Sequence, residues 1–313
     1  MYKASICIPA YNGDKFIAQA IQSVLDQTVK DFHLIIVNDA STDDTLKISQ
    51  SFTDPRITIF QNPTHLGLVG NWNKCLELAS SQYIQIFHQD DLMMPTTLEC
   101  LVDFLNAHPE AGFVFSNIIT IDAQGTYLRG HWNPRVLPDQ DTVFMKNDLF
   151  EALLQYENFI PCQTVMLRRE LIHNAGKFDD RLRYTPDLEM WMRLALYADV
   201  GYINEPLIYL RCHERQESRA YLGKANEIEE VWRAIQIIFT EQRTHIPEPD
   251  RLYHIALSSL INWSWFLVKT DIRRLHYRTA WSSLRLNVRL RRLYKAGLNC
   301  IPPLPDLALI GNE

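Results

Sequence analysis

The chain has no glycine-rich phosphate loop, no cysteine framework and no long uncharged apolar run, and each absence removes a class of protein. No Gly-x-Gly-x-x-Gly or Walker-type loop is present. His65-Leu-Gly-Leu-Val-Gly70 has neither the glycine spacing nor the strand context, which argues against a dinucleotide or P-loop enzyme. The six cysteines, at 7, 75, 100, 162, 212 and 300, are scattered and several sit in apolar runs. They read as reduced core residues, with neither disulfide nor zinc spacing. No uncharged apolar run approaches the roughly 18–20 residues that cross a bilayer. The N-terminus leads straight into the strand-like Ala4-Ser5-Ile6-Cys7-Ile8, so the expectation is a cytoplasmic chain without an export signal. A net charge of -6 gives no global case for nucleic-acid binding. Internal repeats and low-complexity tracts are also missing.

What is present is a globular composition, 47% hydrophobic and 22% charged over 313 residues, enough for one large or two ordinary domains. The first 110 residues alternate strand and helix patterns. Strands are expected at 4–8, 32–37, 56–60 and 83–87, with helices at 14–27, 43–52, 68–79 and 95–106. This alternation predicts βαβ units and a doubly wound, mostly parallel sheet. Two further strands, 112–115 and 118–121, precede the turn signal Asp122-Ala-Gln-Gly125. The pattern is then mixed, with helices near 148–156 and 187–197 and strands near 164–167 and 207–210. Beyond about Leu222 only helical patterns remain, at 225–242, 252–269 and 272–294. The expected division is 1–220, comprising halves 1–110 and 111–220, followed by a helical region 221–313.

Chemistry is concentrated where strands end. Tyr83-Ile-Gln-Ile-Phe87 reads as a buried strand and runs into His88-Gln-Asp90-Asp91. Ligands bind beyond the carboxyl ends of such strands. Two adjacent carboxylates there are costly unless something positive lies between them, and a divalent metal holding a phosphate meets that need. Helix capping is the plainer alternative, but it accounts for only one of the two. Pro9-Ala10-Tyr11-Asn12 follows the first strand as a ligand-facing loop or an ordinary one. Asn38-Asp39-Ala-Ser41-Thr42-Asp43-Asp44-Thr45 follows the second. Capping explains Ser41 to Asp44 and leaves Asp39 to accept hydrogen bonds from a base or ribose.

In series these segments resemble glycosyltransferase family 2, with the GT-A fold. The resemblance runs through Pro9–Asn12, Asn38–Thr45, Asn62 through Gly67 to Asn71, and His88–Asp91. It continues through Met166-Leu-Arg-Arg-Glu170 with Gly176-Lys-Phe-Asp179, Pro186-Asp-Leu-Glu-Met-Trp-Met-Arg193 and Tyr209-Leu-Arg-Cys-His213, covering roughly residues 1–218. It implies inverting transfer of a sugar from a nucleoside diphosphate sugar. Pro9, Ala10, Tyr11, Asn12 and Asp39 would hold the nucleotide, with Asn71 near the ribose or phosphates. The Asp39-type contact suits a pyrimidine, hence a UDP- or TDP-sugar. Asp90 would be the main ligand of Mn²⁺ or Mg²⁺ bridging the diphosphate, with His213 a phosphate or metal contact. Arg211 would lie on the diphosphate and Asp91 on the donor sugar or behind the metal. The chain departs from the family's usual Asp-x-Asp in placing His88 first. An imidazole is a poor ligand for Mg²⁺ and an acceptable one for Mn²⁺; His88 would otherwise hydrogen-bond the diphosphate or serve structure alone.

The resemblance assigns the catalytic base to Asp187, where helix capping is again the plain reading, and keeps Glu189 in reserve. Trp191 is either core or the floor of an acceptor site. The donor-sugar pocket would be made by loops near 130–165, which carry no specific code. The stretch 273–295 holds eight basic residues (Arg273, Arg274, Arg278, Arg285, Arg289, Arg291, Arg292, Lys295) and no acid, with leucines interleaved. It suits an anionic membrane surface, and so a lipid-linked acceptor at the inner face of the membrane; a solvated face of a packed helix is the alternative. The expected setting is surface polysaccharide synthesis. The readings set against it are a non-catalytic nucleotide-sugar-binding scaffold homologue, favoured by His88, and a nucleotidylyltransferase, disfavoured because Pro9–Asn12 is not a glycine-rich basic loop.

Overall fold

The computed structural model describes residues 2–129, 136–216, 221, 223–298 and 301. Residues 130–135 of the expected donor-sugar loops, the expected cut at residue 220 and Cys300 lie outside these. Compactness divides the chain into two units that interleave in sequence. One holds Met1–Lys146, Ile160–Phe178 and Tyr197–Glu214; the other holds Asn147–Phe159, Asp179–Leu196 and Arg215–Glu313.

The first unit is a ten-stranded sheet with helices. In chain order its elements are β1 (Ala4–Ala10), α1 (Ile17–Leu25), β2 (Phe32–Asn38), α2 (Thr45–Gln50), β3 (Ile57–Gln61), α3 (Gly67–Leu78), β4 (Tyr83–Ile86), β5 (Leu92–Met93), α4 (Thr97–Ala107), β6 (Ala111–Asp122), β7 (Tyr127–Arg129) and β8 (Thr142–Phe144). After a segment that belongs to the second unit come β9 (Met166–Arg168) and α6 (Arg169–Ala175), and later β10 (Asp199–Cys212). Strand order is β3-β2-β1-β4-β9-β6-β10-β5, with β7 beside β6 and β8 beside β10. The half from β3 to β4 is parallel, as the alternating sequence predicts. The other half is mixed: β9 runs antiparallel to β4 and β6, while β10 runs parallel to β6. Side chains alternate across β1. Ile6 and Ile8 pack in one buried cluster with Ile17, Ile21 and Val24 of α1 and Leu98, Leu101 and Leu105 of α4. Cys7 faces the other way, its thiol 3.6 Å from the Cys75 carbonyl in α3. Both faces are covered, so β1 is apolar but for Ser5, whose hydroxyl is paired with Ser81.

Two sequence expectations change here. The strands at 112–115 and 118–121 are one, because Ser116 and Asn117 stay buried with partners inside the sheet. The Asn117 side chain accepts from the Ile118 N–H at 2.8 Å and donates to the Tyr202 hydroxyl at 3.3 Å. The strand at 164–167 starts later, since Cys162–Thr164 forms a 3-10 turn.

The second unit is helical: α5 (Asp148–Tyr156), α7 (Pro186–Leu194), α8 (Ala225–Glu241), α9 (Pro249–Arg273) and α10 (Tyr277–Ala296). α9 packs on α5, α8 and α10, and α7 packs on α5 and α8. The α9–α10 turn closes with Leu275 in the left-handed region (φ 61°) and the His276 N–H on the Asp271 carbonyl at 2.8 Å. Among the described residues no helix is long and apolar enough to cross a membrane.

Candidate active site

The loops leaving β1, β2 and β4 meet at the carboxyl ends of adjacent strands. Gln89 ties the first to the third. Its amide accepts from the Tyr11 N–H at 3.0 Å and donates to the Tyr11 carbonyl at 2.9 Å. The approach is close enough that a Cβ on Gly13 would lie 2.1 Å from Gln89 Oε1, so a larger residue there would displace the Gln89 amide that holds Tyr11. Asn12, at φ 47°, ties the first loop to the second by accepting from the Thr42 N–H at 2.9 Å. Tyr11 is partly exposed and stacks on His65, with centroids 4.0 Å apart.

Asp39 is buried and accepts from four directions. Oδ1 takes the Asn62 amide at 2.7 Å and the Leu66 N–H at 2.9 Å. Oδ2 takes the Gly67 N–H at 2.9 Å and faces His65 Nδ1 at 2.9 Å. The carboxylate thus holds the start of α3, with its acceptor sites filled. Only His65, half-exposed, could swing aside for a nucleotide. Asn71 is buried and braces the end of β2, donating to the Val37 carbonyl at 3.1 Å and accepting from Asn62 at 3.1 Å. The expected ribose or phosphate contact is therefore not presented by this rotamer. Ala40, beside Asp39, sits at φ 55°, a left-handed conformation costing a non-glycine residue about 1–2 kcal/mol.

The third loop carries the charge. Ligand atoms of His88, Asp90 and Asp91 lie within 4.8 Å of one another. His88 stacks on Trp72, with centroids 5.5 Å apart; its Nδ1 is 3.8 Å from Asp91 Oδ2 and its buried Nε2 has no protein partner. Burial lowers the His88 pKa against the opposing pull of Asp90, so the ring favours the neutral, ligand-competent form. Burial raises the Asp90 carboxyl, but the His213 hydrogen bond and the nearby His88 and His213 outweigh it and hold the pKa below the usual range. Asp91 is pushed well above that range by burial and by the Asp90 charge. A neutral imidazole with one ring nitrogen unpartnered, beside an ionised carboxylate, forms a donor pair that fits a divalent cation, Mn²⁺ better than Mg²⁺.

β10 brings in the last two residues. It lies antiparallel to β5, which follows the acidic loop directly. His213 Nε2 is 2.8 Å from Asp90 Oδ2, so the expected pairing of these two as a metal site has a geometric basis. Arg211 differs from expectation. It is buried and surrounded by protein oxygens: its N–H on Asp91 Oδ1, Nε on the Asp90 carbonyl, one terminal nitrogen on Gln19 and the other on the Asp122 and Ala123 carbonyls. The guanidinium also lies over Phe16, 4.8 Å from the ring centroid. Arg211 clamps the acidic loop in shape, and a diphosphate would find it enclosed.

In the second unit, Asp187 stands in the first turn of α7. One oxygen accepts from the Leu188 N–H and the other from the Asn158 amide, both at 2.8 Å. Burial pushes its pKa up to about 6, against the lowering effect of those two bonds. Glu189 and Trp191, expected toward the acceptor, point into the core. Glu189 is buried in a bidentate pair with Arg193, both contacts 2.8 Å. Trp191 is 1% exposed and cannot present a ring to a sugar. α7 is buried on nearly every side, so its helical spacing marked no single inner face. Sequence reasoning missed His65, Gln89 and Asn158. Each sits inside or beside a motif, but its role depends on a loop distant in sequence.

This fold, with polar loops and a paired-carboxylate cluster beyond the strand ends, defines a nucleotide-sugar transferase of GT-A type. Residues 5–175 match the family described as Glycosyl transferase family 2, more than half of the chain, and the chain belongs to that family. An uncharacterized protein of Mycobacterium tuberculosis is 33% identical over 211 residues, 65% of each chain. The putative glycosyltransferase EpsE of Bacillus subtilis is 28% identical over 259 residues, 80% of this chain and 86% of EpsE. The structure of Staphylococcus aureus TarS 1-349 with UDP-GlcNAc shares the fold at a TM-score of 0.68 and 17% identity, covering 94% of this chain and 92% of that one. The mannosyltransferase PcManGT of Pyrobaculum calidifontis, solved with GDP-Man and Mn²⁺, shares it at 0.55 and 16%, covering 94% and 83%.

Proposed function

We propose that this chain transfers a sugar, with inversion, from a UDP- or TDP-sugar to a glycan or lipid-linked acceptor in surface polysaccharide synthesis. The observation that carries the reading is the His88–Asp90–Asp91 cluster at the end of β4, within reach of the β1 and β2 loops. Tyr11 and His65 offer an aromatic surface for a pyrimidine, and Pro9, Ala10 and Asn12 shape the loop that carries Tyr11. Asp90, with His213 and either His88 or Asp91, would hold Mn²⁺ or Mg²⁺. When bound, the ion offsets the charge that develops on the leaving diphosphate. Asp187 takes the proton of the acceptor hydroxyl as that oxygen bonds to the anomeric carbon. The bond from that carbon to the diphosphate breaks on the opposite face, and the nucleoside diphosphate leaves. Two features support Asp187: its place in the Pro186–Arg193 motif and a pKa near the working range of a base.

The test is release of free UDP or TDP from a panel of nucleotide sugars with Mn²⁺. Slow hydrolysis of one donor, lost in Asp90→Asn, is expected. Hydrolysis that survives Asp90→Asn would sink the metal assignment. No release from any donor would mean either that the acceptor is obligatory or that the chain is a scaffold homologue, the reading that His88 in place of an acid supports.

The basic stretch 273–295 supports a peripheral contact at the inner face of the membrane. Arg278, Arg285, Arg289, Arg292 and Lys295 are exposed on α10 beside the exposed Trp281 and Val288.

A further inference from the structure

A cleft in the second unit lies between α5, α9 and the end of α10, with a volume of about 990 Å³, and its lining includes none of the residues assigned above to the donor, metal or base. That is the size of a small-molecule site. Four aromatic side chains line it, Tyr156, Trp263, Phe266 and Tyr294, three of them at least 40% exposed. Between the rings stand hydrogen-bonding groups of both kinds: the amides of Gln155 and Asn262, the Ser258 hydroxyl, His254 and the carboxyl of Glu157. His254 is already oriented, with Nδ1 2.7 Å from the Asp250 carbonyl and its ring edge-on to Tyr294, centroids 4.8 Å apart.

The chemistry of the walls selects among ligands. An anion is disfavoured because Arg251, the one cation in the lining, is paired with both Glu151 and Glu248. A lipid chain is disfavoured by the amides, hydroxyls and carboxyls. A metal ion is disfavoured because Glu157 is the only unpaired carboxyl in the lining and burial, with the Glu227 charge nearby, raises its pKa to about 8. It is therefore largely neutral at pH 7, able both to donate and to accept. Glu157 is also held in the left-handed region at φ 65°, which side chains rarely adopt and which recurs at binding sites.

Aromatic faces with a mixture of neutral donors and acceptors between them match one class, a sugar. Its C–H faces stack on rings and its hydroxyls need both donors and acceptors. We propose that this cleft, lined by none of the residues assigned to the donor, is a binding site for a short neutral oligosaccharide. That the oligosaccharide belongs to the acceptor rests on the transferase reading; that the cleft binds sugar does not.

The experiment applies the full chain, without nucleotide or metal, to an array of immobilised neutral oligosaccharides of hexose and N-acetylhexosamine units. Retention of a subset is expected. Tyr156→Ala and Asn262→Ala, both at exposed positions, should each weaken it about tenfold, the loss of one stacked ring or one paired amide. Retention of none, or retention undiminished in both variants, would overturn the proposal. Retention with no nucleotide bound in calorimetry would leave the cleft standing and remove the nucleotide-sugar reading; nucleotide binding with donor hydrolysis but no retention would do the reverse.

Discussion

Three carboxyls show how position sets protonation. Asp90 is held low by two imidazoles, while Asp91, adjacent in sequence, is raised by burial and by Asp90 itself. Asp187 is raised to about 6 chiefly by burial. A base must be ionised to accept a proton, so the transfer rate should climb through about pH 6 and level off above it. Asp187→Asn should abolish transfer at every pH and keep nucleotide binding. Near-normal turnover in that variant, or a flat rate between pH 5 and 7, would remove Asp187 from the mechanism. The same shift has a sign for stability. With its folded pKa above its unfolded one, Asp187 favours the folded state at low pH and loses that contribution as pH rises through about 6. Ala40 offers a separate test. Ala40→Gly removes about 1–2 kcal/mol of left-handed strain and adds about 0.5–1 kcal/mol of unfolded-state entropy. A stabilisation of up to about 1.5 kcal/mol should appear in a denaturant midpoint; a destabilised variant would mean that the Ala40 methyl is itself needed. Adjacency made Asp90 and Asp91 legible in the sequence, since two acids after an apolar strand demand a reason. Nothing local marks Arg211 as enclosed, because its partners at 19, 90, 91, 122 and 123 come from segments far away in the chain.

Among the longer elements, α7 and β10 were the least legible in burial and extent. α7 carries three charged residues among nine, yet Leu188 through Leu194 are all buried, and Glu189 is tolerated only because Arg193 lies one turn on. Removing one partner of such a pair leaves a buried charge and typically costs about 3–5 kcal/mol. Glu189→Ala should therefore lower the unfolding midpoint strongly. A near-neutral effect would mean that water reaches Arg193. β10 runs for 14 residues where four read as a strand, because Asn204, Glu205 and Pro206 interrupt the apolar pattern at a register shift in the pairing with β6. The parallel strands β1, β2 and β4 read correctly because both faces are covered and each is mostly apolar. The three short strands β5, β7 and β8 carry no pattern long enough to detect. α10 was legible as a basic amphipathic helix: Ala280, Ser283, Leu286, Asn287 and Leu290 turn inward and the arginines outward. Each basic group near an anionic surface contributes about 1 kcal/mol. Full-length protein should pellet with anionic liposomes at low salt, and the Arg285→Glu, Arg289→Glu pair should release it. Pelleting that ignores salt and charge reversal, or no pelleting, would leave α10 as a solvated face.

At the scale of the molecule, the two compact units are threaded through one another in sequence. α5 and α7 are made early in the chain, but their apolar faces, including Leu149, Phe150 and Leu153, belong to a core completed by α8 and α9. During synthesis at about 5–20 residues per second, the roughly 100 residues between α5 and α9 take on the order of ten seconds to emerge. For that interval the leading helix of the second unit is out of the ribosome with its inner face bare. The nascent chain thus carries its own demand for a chaperone, timed by the spacing of its helices. A gene cut after the sheet would make that waiting state permanent.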